Sequence, residues 1–344
     1  MNILVIVKLY FHRNKSGGEK YLHILLKRML ELKTKIKITI LIPDSKEIKK
    51  FEYEKLTIFE TTETLEDCLL YIPNSDLVIT QLDYSNEVVK KCIELDKKVI
   101  NIYHGAWEGY KPLVYHSSPN YIKVFNSVNV YNDLSSKIYS IDNYYIINPM
   151  CDFPMYNKYK NKDKSRREYI TLINPSKNKG ADLVLEIAKN NPDRKFLIVE
   201  GGYYSHEQLP YITEFRKLSN CHIAPNTRNI CEDVYLKSKI VMMPSRYESW
   251  GMVASEAASM GIPVIFGIGE ENEKIAEGLI ENIGKLSLNC PRNAKDLEKL
   301  IYLLDHPPTY HLWSNLYNEI AEENFYKNEA QIYDFFQIIF KKVL

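Results

Sequence analysis

Short apolar, β-branched runs recur along this 344-residue chain, separated by stretches with helical periodicity. The strand-like runs fall near 2–7, 36–42, 76–80, 98–103, 121–125 and 144–147, with helical patterns between them at 19–32, 65–71 and 87–95. Residues 152–168 (DFPMYNKYKNKDKSRRE) interrupt that rhythm. Polar, Lys-rich and marked by a proline, they read as an interdomain linker. The alternation then restarts, with strands near 169–173, 196–200, 221–224, 239–243, 263–266 and 285–288 and helices at 180–190, 206–218, 229–237, 252–260 and 293–304. Strand–helix alternation demands parallel sheets covered on both faces. Two such series predict two doubly wound, Rossmann-like α/β domains, 1–151 and 169–322, facing a cleft. From about 307 the chain reads as helix without a further strand, and 323–344 is expected to cross back to the first domain. Ligands of open α/β sheets bind beyond the carboxyl ends of the strands, so chemistry is sought there.

Charge excludes one class of partner. Forty-five basic against forty-four acidic residues leave a formal +1, without the broad basic excess of a nucleic-acid binder. The balance is uneven locally: residues 1–50 hold 12 Lys/Arg and 4 Asp/Glu, residues 51–100 hold 5 and 11. Lys20, Lys27, Arg28, Lys33, Lys35 and Lys37 overlap an apolar face of Leu22, Leu25, Leu26, Met29 and Leu30. Such a helix either docks on an anionic membrane surface or is a surface helix with solvated lysines. The six cysteines are scattered without a C-x-x-C pair, as expected of reduced thiols in a cytosolic protein. The amino-terminal apolar run is about five residues long with no basic region before it, which reads as a first buried strand and not a signal peptide. No run approaches the ~20 apolar residues of a spanning helix. The expected location is cytoplasmic, with peripheral contact to the inner face of a membrane as the variant that the basic helix raises.

The densest chemistry lies in Pro244-Ser245-Arg246-Tyr247-Glu248-Ser249-Trp250-Gly251-Met252-Val253-Ala254-Ser255-Glu256-Ala257, which follows a strand and precedes Gly261-Ile262-Pro263-Val264. Gly251 stands at the turn into a helix, whose first peptide N–H groups lack intrahelical partners and favour a phosphate. Two carboxylates beside an anion-binding helix end suit a diphosphate flanked by hydroxyl-rich groups, each donating to a carboxylate. Either glutamate alone would read as a solvated surface residue.

The pattern P-S-x-x-E-x-x-G-x-x-x-x-E-A followed by G-x-P-V resembles the E-x7-E signature of the retaining GT-B glycosyltransferases of the family 4 type, with Glu248 and Glu256 separated by seven residues. That resemblance implies the GT-B fold and transfer of a hexose-type sugar from a nucleotide-diphosphate sugar, UDP- or GDP-linked, to a glycan or lipid-linked acceptor, with retention of configuration. Other positions follow in order. Gly17 and Gly18, between the first strand and first helix, resemble the family's Gly-Gly loop, although an isolated pair is also an ordinary flexible turn. Lys179 before Gly180 resembles the family's R-x-x-x-x-K-G element on the donor diphosphate. Asn174 stands where that element has arginine, leaving a neutral donor there or Lys177 to compensate. His104 in Asn101-Ile102-Tyr103-His104-Gly105 matches a histidine that holds the transferred sugar, or is a structural histidine at a strand end. Asn126 and Ser127, like Asn148 before Pro149, match recurring scaffold positions.

The resemblance assigns Glu248, His104 and Lys179 to catalysis. It assigns Gly17, Gly18, Asn174, Lys179, Trp250, Gly251, Met252, Val253 and Glu256 to the donor, the last for its ribose. No D-x-D occurs, so no metal and no cofactor is expected, and amides and lysine carry the diphosphate charge. There is no zinc spacing, P-loop, nucleophile elbow or dinucleotide-binding glycine fingerprint. The alternatives are a non-catalytic nucleotide-sugar-binding subunit and a nucleotide-sugar epimerase or hydrolase on the same fold.

Overall fold

The computed structural model describes residues 1–13, 16–32, 35–135, 140–162, 166–202, 205–269, 277–284 and 287–343. The chain divides into two units, Met1–Met150 with Asn328–Leu344, and Cys151–Lys327.

In the first unit the alternation forms β1 (Asn2–Ile6), α1 (Gly17–Leu32), β2 (Lys37–Ile42), β3 (Lys49–Tyr53), β4 (Leu56–Glu60), α2 (Leu65–Leu69), β5 (Leu77–Gln81), α3 (Ser85–Glu94), β6 (Val99–Tyr103), α4 (Lys111–Val114), β7 (Tyr121–Phe125), α5 (Val128–Leu134) and β8 (Tyr144–Ile146). The sheet order is β3-β4-β2-β1-β5-β6-β7-β8, parallel except for the β3–β4 hairpin. The strands around β1 are buried along their length, as a sheet covered on both faces requires.

The hairpin was not expected. Its turn, Glu54 and Lys55, is left-handed at both residues (φ 49° and 69°), the conformation that two-residue hairpins usually mark with Asn-Gly. Glu-Lys gives no such mark. The outer strand β3 carries Lys49 and Lys50 and is mostly exposed, in the manner of a charged edge strand that discourages further pairing.

The basic helix also differs from its amphipathic membrane reading. Leu22, Leu25, Leu26 and Met29 of α1 are buried in the core of this unit. Lys27 pairs with Glu54 at 2.5 Å, and Arg28 pairs with Glu31 and Glu329 at 2.6 and 2.9 Å. The apolar face is therefore core, and Lys27 and Arg28 are partnered; Lys33 lies outside the described residues.

The second unit holds α6 (Phe153–Asn157), β9 (Tyr169–Ile173), α7 (Ala181–Asn190), β10 (Phe196–Val199), α8 (Ser205–Phe215), β11 (Cys221–Ala224), β12 (Ser238–Met242), α9 (Met252–Ser259), β13 (Val264–Ile268), α10 (Glu277–Ile283), β14 (Leu288–Pro291), α11 (Ala294–Leu303) and α12 (Pro307–Val343). Its six strands are all parallel in the order β11-β10-β9-β12-β13-β14. Cys231–Tyr235 forms a π-helical turn instead of the helix expected at 229–237. The last strand lies at Leu288–Pro291 and not at 285–288, of which 285 and 286 are outside the described residues. The stretch read as a linker begins with α6, whose Phe153 and Tyr156 are buried in the second unit; 163–165 are outside the described residues. Residues of α12 from Asn328 onward belong to the first unit. All six cysteines are free thiols. Among the described residues no helix is long and apolar enough to cross a membrane.

Candidate functional site

In the second sheet β9 lies between β10 and β12, so the chain leaves β9 toward one edge and later returns to its other side. A doubly wound sheet opens its ligand crevice at that switch, beyond the carboxyl ends of the two central strands. The loop after β9 carries Asn174 and Lys179, and the loop after β12 carries 244–251. Strand adjacency thus brings together residues about 70 positions apart in sequence.

The junction is close because of a glycine. Gly180 caps α7 in the left-handed region (φ 77°), and a Cβ there would lie 2.2 Å from the Pro244 carbonyl oxygen. Only glycine meets both demands. Arg246 reinforces the junction: its guanidinium donates to Asp182 of α7 at 2.7 and 3.2 Å and to the Lys177 carbonyl, and its amide donates to Asn178 O at 2.7 Å. Arg246 beside it holds the Asp182 carboxyl below the usual range despite its burial, and Arg292 acts in the same direction.

Against this frame Lys179 Nζ donates to Glu248 Oε1 at 2.6 Å, and Ser245 Oγ donates to the same oxygen at 2.8 Å. Glu248 is only 6% exposed, while the Lys179 side chain is 29% exposed. A buried carboxylate needs such charge-assisted donors. The sequence reading gave these two residues separate tasks; the fold makes them an ion pair.

Gly251, also left-handed (φ 79°), caps α9, and a Cβ there would lie 2.4 Å from Leu279 Cδ2. From α10, Asn282 donates to the Trp250 and Gly251 carbonyls at 2.9 and 3.1 Å and accepts from Ser255 Oγ at 2.9 Å. The chain entering α9 is therefore braced on both sides, which fixes the direction in which the first amides of Met252 and Val253 point. Trp250 itself is buried. Glu256, one turn in and 5% exposed, accepts from Tyr235 Oη at 2.7 Å. Tyr235 comes from the π-helical turn, a feature that often accompanies functional positions. Asn174 is left-handed (φ 61°), a conformation asparagine tolerates, and its buried Oδ1 has no hydrogen-bond partner among the described residues.

The first unit gathers a second group at the carboxyl ends of β1, β5 and β6. His104, directly after β6, places Nε2 2.7 Å from Gln81 Oε1 at the end of β5. Burial drives the imidazole down to about 3, so it is neutral at physiological pH. Because the Gln81 oxygen accepts, the proton sits on Nε2 and Nδ1 keeps a lone pair. Tyr21 packs edge-on against the ring at 5.6 Å, and a Cβ on Gly18 would stand 3.5 Å from it, an ordinary contact. Gly18 and His104 are thus neighbours. Asn126 reaches the His104 carbonyl at 3.4 Å, Ser127 caps α5, and Asn148 donates to Asn126 O at 3.2 Å, all scaffold contacts.

Glu19, 1% exposed, is a residue the sequence reading passed over. Ser16 accepts from Lys20 N through its carbonyl and donates its hydroxyl to the Glu19 carboxylate. Burial pushes the Glu19 carboxyl up to about 7, helped by Asp83. Tyr235, Gln81 and Asn282 carried no sequence signal, since each acts through a partner that only the fold supplies. Among the described residues no group of three or more His, Cys, Asp or Glu could hold a metal ion.

Residues 153–315 match the family described as Glycosyl transferases group 1, a match lying within the second unit. No curated protein matches the sequence. Among solved structures, a glycosyltransferase from Rickettsia africae superposes with a TM-score of 0.73 at 14% identity, covering 99% of this chain and 98% of that one. Sucrose-phosphate synthase from Thermosynechococcus elongatus gives 0.75 at 14% identity, covering 99% and 100%. HepE of Anabaena, solved in complex with UDP-glucose, gives 0.74 at 12% identity, covering 98% and 99%. At these identities the likeness speaks to the fold, which is that of the GT-B glycosyltransferases.

Proposed function

We propose that this protein is a retaining glycosyltransferase that moves a hexose-type sugar from a nucleotide-diphosphate sugar to a hydroxyl of a glycan or lipid-linked acceptor, without a metal. The observation that carries the reading is the Lys179–Glu248 pair at the sheet's switch point, directly ahead of the α9 amino terminus. It sets one cation, one carboxylate and one anion-binding helix end together, which is what a sugar diphosphate requires. The group 1 match over the second unit and the UDP-glucose complex of HepE, a neighbour in fold, support a UDP-sugar as the first donor to test.

In this reading Lys179 exchanges Glu248 for the diphosphate, and the first amides of α9 share the phosphate charge. Glu248, relieved of the lysine, accepts from ring hydroxyls of the sugar. Glu256, with one oxygen held by Tyr235, accepts from the ribose hydroxyls. His104, which keeps one unprotonated nitrogen, and the Gly17 and Gly18 backbone are the groups of the first unit that the resemblance assigns to the sugar and its phosphate. Asn174 contributes no charge where the family has a cation, so Lys179 carries more of the leaving-group stabilisation. The acceptor oxygen bonds to the anomeric carbon as the carbon–oxygen bond to the diphosphate breaks. The bonding electrons leave with the diphosphate, and one of its oxygens takes the acceptor's proton. Glu248 positions the sugar and is not the nucleophile.

The test is a donor screen with UDP-, GDP-, ADP- and dTDP-sugars, following release of the nucleoside diphosphate, with Glu248→Gln alongside. Release from one donor that survives chelator and is lost in the variant is the expected result. Binding by thermal shift without turnover, even with pooled cell extract as acceptor, would move the reading to a nucleotide-sugar-binding subunit.

A further inference from the structure

Trp107 lies three residues past His104, on the loop that leaves the carboxyl end of β6, and is 52% exposed. Exposed tryptophan at the ligand end of a sheet costs solubility and needs a reason. This indole is also not loose. A Cβ on Gly105 would stand 3.4 Å from its Cε2 and Cζ2 atoms, so the bare backbone lies against one part of the ring system. Tyr110 supports it at 5.2 Å between ring centroids, with the Tyr110 amide donating to the Trp107 carbonyl at 2.9 Å to close the turn. Tyr110 rests edge-on on buried Tyr103 of β6 at 5.0 Å, and Tyr103 stacks on Phe125 of β7 at 5.0 Å. A ladder of four aromatic rings therefore runs from the sheet interior to the surface and ends in an indole backed by protein and half open to solvent.

We infer that Trp107 is the platform on which a sugar ring of the acceptor stacks. The inference rests on the glycosyltransferase reading above and adds to it the acceptor's class, a glycan. A pyranose presents a face of C–H bonds and a rim of hydroxyls. A rigid indole covers the face at little conformational cost, while polar groups on the same loop end, His104 foremost, answer the rim. A lipid chain would need an apolar groove continuous with the indole; among the described residues the loop offers one flat ring next to His104 and Gln81 at the strand ends.

The experiment uses the full chain with the donor found in the screen and, as probes, methyl glycosides of glucose, galactose, mannose and N-acetylglucosamine, with maltose and lactose. Nucleoside diphosphate release is measured with and without each sugar for the parent, Trp107→Ala and Trp107→Phe. The expected result is that one sugar accelerates release, and that Trp107→Ala raises the KM for that sugar about tenfold, equivalent to about 1.4 kcal/mol. Water-dependent release and the donor KM stay unchanged, and Trp107→Phe restores the sugar KM to within about threefold of the parent. An unchanged sugar KM in Trp107→Ala overturns the platform. Donor turnover that no probe sugar accelerates overturns the glycan class. Absence of both donor turnover and donor binding overturns the glycosyltransferase reading beneath it, and so separates that failure from this one.

Discussion

The contact between Gly180 and Pro244 can be measured against an internal reference. Two left-handed glycines of the second unit differ in surroundings. A Cβ on Gly180 would meet the Pro244 carbonyl oxygen at 2.2 Å and its ring at 2.7 Å, whereas a Cβ on Gly284 (φ 86°) meets nothing within 4 Å among the described residues. Gly284→Ala therefore adds only the left-handed penalty of a side chain, about 1–2 kcal/mol. Gly180→Ala adds that and an overlap with backbone that cannot rotate away, for which about 1–3 kcal/mol is typical. The expected totals are about 1.5 and about 3.5 kcal/mol, or roughly 4 °C and roughly 10 °C in the unfolding transition of a unit of this size. Differential scanning calorimetry on both variants reads the difference. The Gly180 variant should also lose donor affinity, because the overlap pushes the Lys179 loop from the Glu248 loop, while the Gly284 variant keeps it. Equal losses of stability for the two variants would refute the claim that close loop approach is what Gly180 is for.

Four further outcomes are expected. Lys179→Met removes the cation that donates to the buried Glu248 carboxylate and should cost about 2–3 kcal/mol, while adding Glu248→Gln should recover part of it, a coupling a double-mutant cycle measures by urea denaturation. His104 is neutral down to about pH 3 in the fold but titrates near 6.5 when unfolded, so the unfolded chain binds the extra proton between them. Its contribution is present above pH 6.5 and is lost as pH falls toward 3, and His104→Gln should flatten that part of the stability–pH curve. Glu19 has the opposite sign: with its carboxyl at about 7 in the fold against 4.5, it costs stability as pH rises through that window, and Glu19→Gln should remove the decline. Tyr235→Phe should weaken donor binding about three- to tenfold without altering the pH profile, since it removes one hydrogen bond to the Glu256 carboxylate, read by titration calorimetry with UDP.

The hairpin and the ion pair mark where linear reading stops. Periodicity reports which face of a segment is buried, so the parallel strands flanking β1 and β9 were legible from apolar runs, although β4, parallel to β2, was not. The strand β3 was not, because its exposure pattern KKFEY is that of an edge and its Glu54-Lys55 turn borrows a conformation those residues do not advertise. The same limit separates the two uses of α1: amphipathicity shows that a face is apolar, and only the sheet it lies on decides whether that face meets core or membrane.

Within the site, the E-x7-E spacing, the lysine before Gly180 and the histidine after β6 stood in the sequence because each is set by local geometry, a turn into a helix or the end of a strand. Residue identity and short-range spacing are enough to specify such features. Partnership is different. Lys179 meets Glu248 because β9 and β12 are neighbours although β10 and β11 intervene in the chain; His104 meets Gln81 because β5 lies beside β6; and Tyr235 reaches Glu256 from a turn that departs from α-helical winding. Side-chain period and composition carry no record of which strands become adjacent, since that choice is made by the long-range packing of whole elements. The sequence by itself determined the alternating architecture and the kinds of groups available for chemistry, while the tertiary structure alone decided which of them share a proton, a charge or a ring face.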